Sequence, residues 1–67
     1  MVETEKDAGK LFAVRATDKD GDSVRAEKTS TEVWLTVQGV DGDYRQVRLS
    51  HSDAREFSAG MAELVSP

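Results

Sequence analysis

Cysteine is absent from all 67 residues, which excludes disulfides and thiolate metal sites. Histidine occurs once, as His51, so no histidine cluster can form. Isoleucine and asparagine are missing and proline occurs once, a usage typical of GC-rich bacterial coding. No apolar run approaches the ~20 residues of a membrane-spanning helix. Residues 1–9 also lack the apolar core of a signal peptide, so the expectation is a cytoplasmic protein with no membrane contact. A domain this small buries only about 60% of the surface its unfolded chain exposes. With no disulfide or metal to add stability, a homodimer is expected.

What is present is alternation. Apolar and polar residues exchange places along Leu11–Thr17, Ser23–Lys28, Glu32–Gln38 and Tyr44–Leu49, the period of half-buried antiparallel strands. Two look-alike turns, Asp18-Lys19-Asp20-Gly21-Asp22 and Gly39-Val40-Asp41-Gly42-Asp43, separate the first strand from the second and the third from the fourth. In each, Gly closes a three-residue loop at the position that needs a left-handed backbone. A loop of Val40, Asp41 and Gly42 pairs Val33 with Leu49 and Leu35 with Val47 on one face. On the other face it pairs Trp34 with Arg48, Thr36 with Gln46 and Gln38 with Tyr44. A two-residue loop would slip the register by one and mix the faces, so the longer loop is preferred. The same logic sets Ala16 against Val24 and Val14 against Ala26. It also sets Arg15 opposite Arg25, a like-charge pair that needs Glu27, Glu32 or an outside anion for relief.

Beyond the strands, Ser50 and Asp53 fit a capping box, with Asp in place of the commoner Glu. Ala54, Phe57, Met61, Leu64 and Val65 then recur at helical spacing as one apolar stripe. Gly60 interrupts this helix at a cost of about 1 kcal/mol relative to Ala, for which close approach to the sheet is the expected reason. Residues 1–10 read as a flexible polar lead-in, and residues 11–66 as a single α+β domain. Its architecture is a four-stranded antiparallel meander packed on one C-terminal helix (ββββα). The expected core is Phe12, Val14, Val24, Val33, Leu35, Val37, Val47, Leu49, Phe57, Met61 and Leu64.

Three constellations bear on function. Asp18, Asp20 and Asp22 resemble the start of an EF-hand loop, but its sixth, eighth and twelfth positions fall on Ser23, Arg25 and Thr29 rather than Gly, an aliphatic and Glu. A solvated hairpin turn explains these aspartates. Ser50-His51-Ser52-Asp53 contains the residue types of a hydrolytic triad, yet neighbours in a first helical turn diverge and cannot form the relay. Capping accounts for Ser50 and Asp53, and His51 is expected to be exposed. No Gly-rich phosphate loop accompanies them, so neither an enzyme nor a cofactor is indicated. The third set is Arg15, Arg25, Trp34, Tyr44, Gln46 and Arg48 on one sheet face. Trp, Tyr and Arg mark protein interfaces, with a protein partner or with a second copy of the chain. Aromatics with Arg on a sheet also bind single-stranded nucleic acid. Simple local pairing, such as Arg48 lying over Trp34, is the third reading.

The segment Val47–Leu64, VRLSHSDAREFSAGMAEL, resembles the strand-to-helix ending of small actinobacterial proteins, among them regulators of the BldB type. The ββββα order resembles the transcriptional-coactivator-type single-strand-binding fold, in which a homodimer presents paired sheets to nucleic acid. These resemblances imply a small bacterial regulator. The expected function is a non-enzymatic, homodimeric regulatory or inhibitor module that takes a protein partner through the Arg/Trp/Tyr face. Single-stranded nucleic acid is the alternative ligand, disfavoured by the net charge of −4.

Overall fold

The computed structural model describes all 67 residues as one antiparallel sheet and one helix. The strands are β1 (Val2–Asp7), β2 (Lys10–Thr17), β3 (Ser23–Lys28), β4 (Glu32–Gln38) and β5 (Tyr44–Ser50), followed by α1 (His51–Leu64). They lie in sequence order across the sheet. The α+β class, the meander and the C-terminal helix agree with the alternation in the sequence. The strand count does not, because the expected lead-in is itself a strand.

β1 pairs with β2 through Val2–Ala16, Glu3–Arg15 and Thr4–Val14, with a bulge between Glu5 and Lys6. Its segment VETEKD does alternate, but Thr4 occupies the place of an aliphatic residue, so little apolar signal distinguishes it from a polar tail. Partners do the rest: Met1 and Thr17 exchange backbone hydrogen bonds at 2.9 Å. Ala8 and Gly9 close the hairpin with φ of 52° and 80°, the two left-handed residues of a type I′ turn.

The remaining pairing follows the expected register. Val14 faces Ala26, Arg15 faces Arg25 and Ala16 faces Val24. Across β4 and β5, Val33 faces Leu49, Trp34 faces Arg48, Leu35 faces Val47 and Gln38 faces Tyr44. Both Gly21 (φ 90°) and Gly42 (φ 93°) hold the left-handed position. The two tips also touch: Val40 N donates to Asp22 Oδ1 at 3.2 Å. A Cβ on Gly21 would lie 2.6 Å from Val40 Cγ1, whereas one on Gly42 would meet nothing within 4 Å.

The helix begins on the last strand residue. Ser50 pairs with Glu32 and its Oγ accepts from Asp53 N at 3.0 Å, one of the two bonds of the expected capping box. His51 is half-buried rather than exposed. Its Nε2 lies 3.0 Å from Thr29 O and 3.2 Å from Glu32 O. Both partners are carbonyl acceptors, so Nε2 carries the proton and ties the helix start to the β3–β4 turn. Gly60 does not approach the sheet, since a Cβ there would meet nothing within 4 Å.

The core departs most from expectation. Only Ala13 is fully buried, at 3% exposure. Phe12, Val14, Val33, Leu35 and Leu49 are half-buried, while Val24, Val37, Val47, Phe57, Met61 and Leu64 are exposed. The helix rests on β4 and β5 alone. It therefore leaves the apolar face of β1–β3 without cover. The helix is also too short and polar to cross a membrane.

The shared backbone strain but unequal surroundings of the two loop glycines make a direct test. Gly21→Ala is expected to lower stability by about 1 kcal/mol or more beyond Gly42→Ala, because only the former also displaces a packed side chain. Urea unfolding of both variants beside the parent measures the difference.

Candidate interaction surface

The face opposite the helix is built by register. Arg15, Arg25, Thr36 and Gln46 form one row across β2–β5, and Glu27, Trp34 and Arg48 form the next. Tyr44, paired with Gln38, lies at the tip end of the same face. All six expected contact residues thus share one surface. They are not equally available.

Arg25 is committed internally. Its Nε and Nη2 donate to the two carboxylate oxygens of Glu5 at 2.8 and 3.1 Å, and its Nη1 donates to Glu27 at 2.7 Å. Reaching from β3 to β1, the guanidinium must pass over β2. Ala13 flanks its path, paired with Glu5 on one side and Glu27 on the other. A methyl side chain there leaves room for the crossing, and the crossing explains why Ala13 is the one buried residue. The arrangement also resolves the Arg15–Arg25 apposition, with Glu27 in the expected role and Glu5 as the residue that sequence reasoning missed. Its signal was the Glu3/Glu5 phase of β1, which matches the Arg15 phase of β2 once the two are paired.

Trp34 is half-buried, and Arg48 lies over its ring with Cζ 4.5 Å from the centroid. The indole Nε1 donates to Glu32 at 3.1 Å. Arg48 Nε donates to Gln46 Oε1, and Gln46 Nε2 donates to Thr36 Oγ1, both at 3.3 Å. This chain of contacts holds the stack in place. Tyr44 is 63% exposed, and Arg15 is exposed without an ion pair. Glu3, Glu5, Glu27 and Glu32 share the face with Arg15, Arg25 and Arg48, so it is not a positive surface.

No three His, Cys, Asp or Glu side chains converge to hold a metal ion. In the first turn, Asp18 Oδ1 accepts from Asp20 N and Asp22 N, which is a turn-closing role. Ser50 Oγ and His51 Nε2 are likewise occupied in capping and anchoring the helix.

Hydrogen bonding to Arg25 holds the Glu5 carboxyl below the ordinary glutamate value of 4.5, and the same contacts raise the Arg25 guanidinium. A lowered carboxylate pKa contributes stability that is complete above the ordinary value and is lost as pH falls through the lowered folded one. Glu5→Gln is therefore expected to reduce stability at neutral pH and to flatten its decline below about pH 4.5. The effect should shrink in high salt, because the pair is partly exposed. Thermal melts from pH 7 to pH 3 at two salt concentrations provide the check. No protein family, curated protein or solved structure matches the chain, so its functional reading rests on the chain's own residues.

Proposed function

We propose that this chain is a small non-enzymatic interaction module, a regulatory or inhibitor protein that engages a protein partner through the Arg/Trp/Tyr face of its sheet. The observation that carries the reading is the fixed Trp34–Arg48 stack beside the exposed Tyr44 and the unpaired Arg15. Rigid aromatic and Arg side chains contribute most to interface affinity, because little conformational freedom remains to be lost when they bind. Trp34 and Arg48 act as anchors and Tyr44 as the accessible edge of the patch. Arg15 supplies a free charge. Arg25 has a structural part, since its donors are taken by Glu5 and Glu27.

The same face argues for protein over nucleic acid. Phosphate binding wants uncompensated Lys and Arg, whereas glutamates interleave with the arginines here. Surface carboxylates of that kind would repel a phosphate backbone and would suit a partner of mixed charge.

Trp34 is the only tryptophan, so its emission reports on this face directly. In low salt the spectrum is expected to be indifferent to a mixed-sequence single-stranded oligonucleotide. Quenching by the oligonucleotide that salt reverses would instead assign the face to nucleic acid. Against a protein partner, Trp34→Ala is expected to weaken binding by about 2 kcal/mol while leaving the circular dichroism spectrum unchanged. Unfolding of that variant would make Trp34 a structural residue and remove the basis of the proposal.

A further inference from the structure

We infer that the bare half of the apolar face is the seat of a second copy of this chain, each helix lying over β1–β3 of the other protomer. This concerns the face opposite Trp34 and stands whether or not that residue contacts a partner.

The area is the first argument. The chain exposes 5454 Å² at a mass of 7.3 kDa. A folded monomer of that mass is expected to expose about 4,200 Å², so roughly 1,300 Å² is in surplus. Stable interfaces bury on the order of 800 Å² per partner and obligate dimers more, so the surplus matches what an obligate dimer removes.

Shape is the second. A groove of about 490 Å³ runs between the helix and the sheet, bounded by Phe57 and Met61 on one side and Ala26, Lys28 and Val33 on the other. It continues at Ala26, Lys28 and Val33 into a second apolar hollow that includes Phe12 and Val14. The uncovered strip is about as wide as one helix, and the chain's own helix retains exposed apolar side chains at Phe57 (55%) and Leu64 (82%). A helix that leaves half a sheet bare, together with the strip it leaves, is self-complementary under a two-fold axis.

Charge agrees. By pairing, Lys28 lies on the apolar face of β3, opposite Val33 and at the border of the bare strip. Asp53, Glu56, Gly60 and Glu63 recur along the helix as a stripe beside Phe57 and Leu64. The partner's acidic stripe would meet this lysine. Gly60, which no contact within its own chain explains, lies in that stripe, where a missing side chain admits a close approach.

Sedimentation equilibrium should give twice the chain mass at micromolar concentration. Isotope-filtered NOE spectra on a mixture of labelled and unlabelled chains should connect Phe57 and Leu64 of one protomer to Val14 and Val24 of the other. Val24→Glu, at an exposed position on β3, should raise the dissociation constant at least ~100-fold, whereas Trp34→Ala should leave the mass unchanged. A monomer at about 100 µM, a hundredfold above the micromolar range in which the dimer is expected, would overturn the inference. So would cross-chain NOEs confined to Trp34 and Tyr44. The NOE measurement uses the unaltered chain and decides the matter even where Val24→Glu fails to fold.

Discussion

Five strands spaced about 4.8 Å apart make a surface roughly 20 Å across, and the single helix laid on it is about 10 Å in diameter. Half the apolar face therefore has no cover within the chain, and the burial pattern follows. Of the 43 backbone hydrogen bonds, 35 lie within the strands and helix, so order within one chain rests on its ladders far more than on an interior. What packing exists is local: two hairpin tips joined through Asp22 and Val40, a helix start pinned by His51, and an alanine beside the path of a guanidinium.

The two faces are stabilised by different physics. On the polar face, Arg25, Trp34 and Arg48 find partners within the chain, Arg15 does not, and the interleaved glutamates leave the surface nearly neutral. On the apolar face, aliphatic side chains line up across the strands, under the helix on β4 and β5 and with nothing opposite them on β1–β3. The acidity of the chain belongs to neither. Asp18, Asp20, Asp22, Asp41 and Asp43 all sit in the two turns at one end of the sheet, so the net charge of −4 describes that end better than either face.

Register was the most legible property, because three-residue loops ending in Gly21 and Gly42 leave one pairing that keeps aliphatic residues together. The Trp34–Arg48 apposition followed from it and is present as a stack. β1 was hidden because its alternation is between charged and weakly polar residues, and only pairing with β2 gives Glu3 and Glu5 a purpose. The extent of burial was equally hidden. Periodicity identifies which side of a strand is apolar, but whether anything lies against that side depends on the width of the cover. His51 escaped for a related reason: its partners are backbone carbonyls of a turn some twenty residues away, which no side-chain pattern encodes.

Ser50 belongs at once to the sheet ladder and to the helix cap, so no linker separates β5 from α1. The rotational phase of the helix is consequently slaved to the pleat of the strand. One residue inserted at this junction would turn the helix by about 100° and carry Phe57 and Met61 off the sheet. Length variation in relatives of this chain should therefore avoid the Leu49–Ser52 joint.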